Sequence, residues 1–206
     1  MPKLIRYSAT DDELWQWVRE DEESAFTRLM QRYTGQLINY GRKWSLDDEL
    51  VKDSVQDVFI ELWHQRHRTQ PIESIQAYLL ASVRHRIGRL AQRNAKFGKS
   101  LDERMTNEFT LVFSAEQQWI ADEESRYRID QLNRYINQLP ARQREVIYLK
   151  FHQNLTQSQI AEVMGLQYQS VSNLLQRTLA SLRNNLSAEL FSCLFGLVAS
   201  GIAPAS

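Results

Sequence analysis

Residues 168 to 177 read Tyr-Gln-Ser-Val-Ser-Asn-Leu-Leu-Gln-Arg, a run that interleaves apolar residues with side chains able to read the edges of bases. A Gln or Asn amide can pair with adenine through two hydrogen bonds, and Arg can do the same with guanine. On one helix, Gln169, Ser170, Ser172, Asn173, Gln176 and Arg177 take the outward positions, while Val171 and Leu174 turn inward. Such a helix needs a second one to hold it, and the preceding residues supply it. Ala161 is followed four residues later by Gly165, and Val171 comes six after that. Ile160, Met164, Leu166, Val171 and Leu174 are the apolar positions of two short helices crossing steeply. A small Ala lets the helices approach, Gly takes a left-handed turn at no steric cost, and the apolar residues fill the wedge. The pattern is a helix-turn-helix, and its spacing is stricter than an ordinary helical hairpin requires. In a DNA reader the second helix of such a unit lies in the major groove.

The charge pattern is uneven. The 206 residues carry 25 bases and 25 acids, a formal net charge of zero. Asp11–Glu23 nevertheless holds seven acids against the single base Arg19, and Arg84–Lys99 holds six bases and no acid. A basic segment inside a neutral chain is what a phosphate-facing surface leaves in a sequence, although a solvated helix face has the same composition. Hydrophobic residues at 43% and charged residues at 24% fit a soluble protein.

Chemistry of other kinds finds little support. His64, His67, His85 and His152 have no metal-ligand spacing with Cys193, and no glycine-rich phosphate loop is present. Neither a catalytic site, a metal nor a cofactor is expected. One cysteine excludes an internal disulfide framework and fits a reducing compartment. The N-terminus lacks an apolar signal core, and the apolar run Leu190–Ala203 is too short to span a bilayer comfortably. The chain therefore reads as cytoplasmic, without membrane insertion.

The elements that must position these residues read as helices throughout. Ser8 or Thr10 can cap a first helix reaching Val18. A second runs from about Glu22 to Trp44, with Phe26, Leu29, Met30, Tyr33, Leu37, Ile38 and Tyr40 at helical spacing. A third covers Asp47 to about His67, with a stripe of Val51, Val55, Val58, Phe59, Leu62 and Trp63. After Pro71 a fourth covers Glu73 to about Lys96. Phe97–Glu124 breaks the pattern and reads as an acidic linker. Helical spacing returns over Tyr127–Leu139, Pro140–Gln153, Thr156–Met164 and Tyr168–Leu186. The expectation is an all-α chain with a helical domain over 8–97, a linker over 98–124, a helix-turn-helix domain over 125–187 and an apolar tail over 188–206.

Two stretches resemble one family. Asp53-Ser-Val-Gln-Asp-Val-Phe-Ile-Glu-Leu-Trp63 is similar to the core-polymerase-binding helix of extracytoplasmic-function sigma factors. Leu139-Pro-Ala-Arg-Gln-Arg-Glu-Val146, running into the helix-turn-helix, is similar to their promoter-reading module. The likeness covers roughly Glu22–Lys96 and Tyr127–Leu186. It implies a sigma region 2 bundle, a sigma region 4 module, and a role in directing core RNA polymerase to promoters.

The resemblance assigns residues. On the third helix Asp53, Gln56, Asp57 and Ile60, with His64, fall opposite the apolar stripe; acid, amide and one apolar residue suit a polar interface with a small buried centre. The family docks this stripe on the largest polymerase subunit. Melting of the −10 element is implied for the loop at about Arg66–Ser74 and the basic helix after it. Arg66, His67 and Arg68, then Arg84, Arg86, Arg89 and Arg93, offer a cationic path to the displaced strand. His85 stands where relatives commonly carry Asn, and Tyr78 matches a usually aromatic position but by spacing belongs to the core. Lys150 and Thr156 match positions where relatives touch the backbone near −35. At Ser172 and Leu174 relatives often carry Lys or Arg, so this reader is less basic than theirs.

The implied partners are core RNA polymerase, promoter DNA in double-stranded and melted form, and an anti-sigma factor. A conventional helix-turn-helix regulator, not acting as a polymerase subunit, is the alternative reading, and a helical interaction protein without a DNA role is another. The regulator class normally binds as a symmetric dimer, and the chain shows neither a ligand pocket nor a dimerisation heptad. The apolar tail can fold back on the DNA-binding module, bind a partner or stay disordered; the first best hides its apolar residues from water.

Overall fold

The computed structural model describes residues 9–45, 47–67, 72–94, 109–111 and 123–186. Ser8, Arg68, most of the expected linker and the apolar tail with Cys193 lie outside them. Among the described residues all regular structure is helical, and the chain divides near residue 101 into two compact units.

In the first unit, four helices follow one another: α1 (Asp11–Arg19), α2 (Glu23–Gly41), α3 (Asp48–Gln65) and α4 (Ile75–Asn94). Thr10 and Glu13 close a reciprocal cap at the start of α1. The Thr10 hydroxyl accepts from the Glu13 N–H at 3.3 Å, and the Glu13 carboxylate accepts from the Thr10 N–H at 2.8 Å. Asp11, Asp12 and Glu13 sit at the positive end of the helix dipole. Asp11 also accepts from Arg32 and Tyr33 of α2, joining the two helices. The acidic N-terminal segment is thus in part capping and bracing. Asp47 caps α3 by accepting from the Leu50 N–H at 3.0 Å.

α2 is the hub, packing against α1, α3 and α4. Leu29, Tyr33, Leu37 and Tyr40 bury its inner stripe, met by Leu14 and Val18, by Val51, Val55, Val58, Phe59 and Leu62, and by Leu79, Leu80, Val83 and Ile87. Phe26 sets its ring 4.9 Å from that of Trp63 and edge-on to Phe59 at 6.2 Å. The packing is tight at Gly41. A Cβ there would lie 2.6 Å from Val51 Cγ1 and 3.1 Å from Ile87 Cδ1.

Beyond residue 101 the described helices are α5 (Glu123–Gln138), α6 (Ala141–Ile147), a π-helical turn (Tyr148–His152), α7 (Gln157–Met164) and α8 (Tyr168–Asn185). Pro140 takes the cap position and α6 starts one residue later. The spacing predicted one helix to Gln153, but the α-helix gives way at Tyr148 to a wider turn. Two bonds account for it: the Gln153 N–H reaches the Tyr148 carbonyl at 3.1 Å, and its side-chain amide donates to the Tyr148 hydroxyl at 2.7 Å in the interior.

The helix-turn-helix is closed by its own termini. Thr156 and Gln159 form a reciprocal cap, with bonds of 3.3 and 2.8 Å. Gly165 has φ +63°. Its N–H bonds the Glu162 carbonyl at 3.2 Å, and the Leu166 N–H bonds the Ala161 carbonyl at 2.9 Å. This pair of bonds is the left-handed helix stop that glycine favours. Ile160, Val163, Met164, Val171, Leu175 and Leu182 are buried. Leu174, expected in the wedge, is half-exposed, and Leu175 fills it, four residues on from Val171 and so directly above it on the helix.

Phe109 and Leu111, inside the stretch read as linker, are buried, and the Phe109 ring meets Tyr148 edge-on at 5.7 Å. No helix among the described residues is long and apolar enough to cross a membrane.

Three alanine substitutions separate space from conformation. Gly41→Ala should destabilise by about 1–3 kcal/mol through overpacking. Gly165→Ala, where a Cβ meets nothing within 4 Å, should cost about 1–2 kcal/mol through the left-handed backbone alone. Gly35→Ala, on the exposed side of α2 with open space around it, should stabilise by about 0.5–1 kcal/mol. Thermal and urea unfolding of the three variants checks the order and the signs.

Candidate functional site

Two surfaces carry the residues singled out by the sequence. The first lies on α3 and α4. Asp53, Gln56, Ile60 and His64 are exposed along the face of α3 that points away from the bundle, and Ile60 keeps 46% of its surface in water. A β-branched apolar side chain so exposed, flanked by an acid and an amide, can form the small apolar centre of a protein contact. Asp57 departs from this row. It is half-exposed and accepts a charge-assisted hydrogen bond from Arg86 of α4. The carboxylate expected to face a partner is half-exposed and braced by the neighbouring helix.

The expected cationic path is likewise divided. Arg84 is only 6% exposed, and its guanidinium carbon lies 5.4 Å from the centre of the Trp44 ring. Arg84 is therefore a packing residue and not the strand-facing cation its charge predicts: the inward stripe of α4 passes through Val83 and Ile87, and Arg84 lies beside it. Arg86 spends its charge on Asp57. His85 and Arg89, one helical turn apart, are exposed on one side of α4. Tyr78 is half-buried, and burial raises its hydroxyl above its ordinary value.

Arg66 ends α3 in a position fixed from three sides. Its guanidinium lies 4.0 Å from the Trp63 ring centre, one terminal nitrogen donates to the Trp63 carbonyl at 2.6 Å, and Nε donates to Asp21 at 2.6 Å. His67 Nε2 is 3.1 Å from the same Asp21 oxygen. Asp21 occupies the α1–α2 turn with φ +67°. The hydrogen bond from Arg66 holds its carboxyl below the ordinary 3.8, with the charges of Arg66 and His67 adding to this and desolvation opposing it. A carboxyl shifted down favours the folded state above its unfolded value, and that contribution is lost as the pH falls through the lowered one. No feature of the sequence near Arg66 announces Asp21, which lies 45 residues away.

The second surface is the outer face of α8. Gln169, Ser170, Asn173, Gln176 and Arg177 are exposed and Ser172 is half-exposed. The Gln169 amide donates to the Asn173 side-chain oxygen at 3.3 Å, and Arg177 Nε donates to the Asn173 carbonyl at 3.3 Å, so residues 169, 173 and 177 form one linked row. Thr156 is exposed at the start of α7, its hydroxyl engaged in the cap. Lys150 projects from the π turn, half-exposed, with Nζ 3.5 Å from the Leu155 carbonyl. No cluster able to hold a metal ion occurs among the described residues.

Two alanine variants separate the packing arginine from the exposed one. Arg84→Ala should cost about 1–2 kcal/mol of stability through the lost contact with Trp44 and the lost packing of its stem. Arg89→Ala should leave stability within about 0.5 kcal/mol and flatten the salt dependence of binding to single-stranded DNA. Unfolding curves and salt titrations of both variants check the division.

Residues 29–97 match the family model Sigma-70 region 2, and residues 129–182 match Sigma-70, region 4. RNA polymerase sigma factor SigF of Mycobacterium tuberculosis, in strains CDC 1551 / Oshkosh and ATCC 25618 / H37Rv, is 48% identical over 48 residues, 23% of this chain. That match spans only 18% of the relative's length. The solved structure of CnrH in complex with the cytosolic domain of CnrY shares the fold at a TM-score of 0.54 and 20% identity, covering 83% of this chain and 93% of that one. The region 2 match takes in α3 and α4, the region 4 match takes in the helix-turn-helix, and they follow one another along a single chain: the protein belongs to the sigma-70 family, in the two-region organisation of its extracytoplasmic-function class.

Proposed function

We propose that the protein is a sigma factor that directs core RNA polymerase to specific promoters and assists the opening of the DNA. The observation that carries this is the pairing, on one chain, of a region 2 unit exposing Asp53, Gln56 and Ile60 with a region 4 unit exposing Gln169, Asn173, Gln176 and Arg177. A conventional regulator has use for the second surface and none for the first. In this reading α3 docks on the polymerase, His85 and Arg89 with Arg68 serve the melted −10 strand while Arg66, held by Asp21 and Trp63, shapes the end of α3 beside them, and α8 reads −35. Lys150 and Thr156 contact the phosphate backbone. The protein acts in the cytoplasm as a polymerase subunit and not as a catalyst. CnrH is seen with the cytosolic domain of another protein, and an anti-sigma factor is the corresponding partner proposed here.

Run-off transcription with core polymerase and a promoter library tests the proposal: promoter-specific transcripts are expected only with the protein present. Ile60→Glu and Gln56→Ala should weaken capture of core polymerase by about 2 kcal/mol at a hot spot without loss of helicity. Asn173→Ala and Arg177→Ala should lower discrimination at particular −35 positions by about 1–3 kcal/mol. Lys150→Ala should weaken all sequences alike and flatten the salt dependence. Specific duplex binding without capture of core polymerase would favour the conventional regulator.

A further inference from the structure

We infer that Tyr168 reads the C5-methyl group of a thymine in the −35 element, an assignment that rests on the proposed promoter reading by α8. Tyr168 is the first residue of α8 and keeps 56% of its surface in water. The chain reaches it through Gln167 in an extended conformation, φ −76° and ψ 148°, so no preceding helical turn covers the ring. The inward stripe of α8 passes through Val171, Leu175 and Leu182. Tyr168 stands at the edge of that stripe and heads a separate row, Tyr168–Ser172–Gln176, spaced four residues apart. Beside it runs the row of Gln169, Asn173 and Arg177, whose members are already linked by hydrogen bonds.

Geometry and chemistry then meet at one base feature. The first residues of a recognition helix are those that reach base edges in the major groove. The edges there are donors and acceptors with one exception, the thymine methyl, which takes apolar contact. An exposed ring at the leading end of the helix gains from covering that group. The shorter Ser172 and Gln176 behind it offer hydrogen bonds to neighbouring positions. Tyr168 therefore supplies the apolar part of a reader that is otherwise polar.

The test uses the full chain with core polymerase and a −35 duplex selected from a randomised pool. Each thymine of that duplex is replaced in turn by 2′-deoxyuridine, which removes the methyl and leaves base pairing intact. At one position the wild-type complex should bind the deoxyuridine duplex about fourfold more weakly, the worth of one buried methyl group. Tyr168→Phe should keep that difference. Tyr168→Ala should bind both duplexes equally there while preserving its preferences elsewhere and its circular dichroism. The inference is overturned if Tyr168→Ala retains the fourfold difference, if no thymine position responds, or if Tyr168→Phe behaves as Tyr168→Ala, which would assign the hydroxyl to a phosphate. A pool that yields no enriched duplex overturns the promoter reading itself, and a selected duplex that responds identically in all three proteins overturns only the role of Tyr168.

Discussion

The first unit is organised by how closely α2 can approach its neighbours, and that distance is set where its last turn meets α3 and α4. At Gly41 the three helices converge so tightly that one additional carbon would overlap Val51 and press on Ile87. Close contact at this end lets Leu29, Tyr33, Leu37 and Tyr40 fill the space between helices, in keeping with the close-packed interior of folded proteins. The exposed row of α3 is a by-product of that packing. With Val51, Val55, Val58 and Leu62 turned into the core, Asp53, Gln56 and Ile60 have nowhere to go but out.

Charge is used in the same economical way. A chain with equal numbers of acids and bases presents fewer free cations than its basic segments suggest, because several are committed to intramolecular partners. Arg32 is paired with Asp11, Arg42 with Asp48, Arg66 with Asp21 and Arg86 with Asp57. Each joins elements that are distant along the chain or separated by a turn. Exposed pairs of this kind add little stability individually, but they fix where the remaining charge is displayed. Among the described side chains of α4, His85 and Arg89 are the fully exposed basic residues, while Arg84 is buried and Arg86 is paired.

Much of this was legible in the sequence. The order and approximate bounds of the described helices follow from apolar spacing, and the Ala161–Gly165–Val171 pattern locates the helix-turn-helix with its left-handed glycine. Other features were not legible, each for a definite reason. Leu175 rather than Leu174 fills the wedge because adjacent leucines leave the helical phase undecided until the neighbouring helix is in place. Arg84 is buried because an arginine stem packs as an apolar side chain, and composition counts only its charge. The π turn at Tyr148 depends on a glutamine bonding to a tyrosine in the interior, which has no periodic trace. Phe109 and Leu111 are too few and too isolated to register as an element, yet they are covered as completely as core residues.

The turn between α1 and α2 illustrates a conflict the chain has resolved in one direction. Asp21 adopts the left-handed backbone that glycine would occupy without cost. A glycine would ease the turn and at the same stroke remove the carboxylate that orients Arg66 and His67. An engineer seeking a more heat-resistant variant would find this position attractive on backbone grounds and would, by relaxing it, unfasten the end of α3. Ease of folding and placement of charge pull against each other at this one residue, and the sequence has kept the charge.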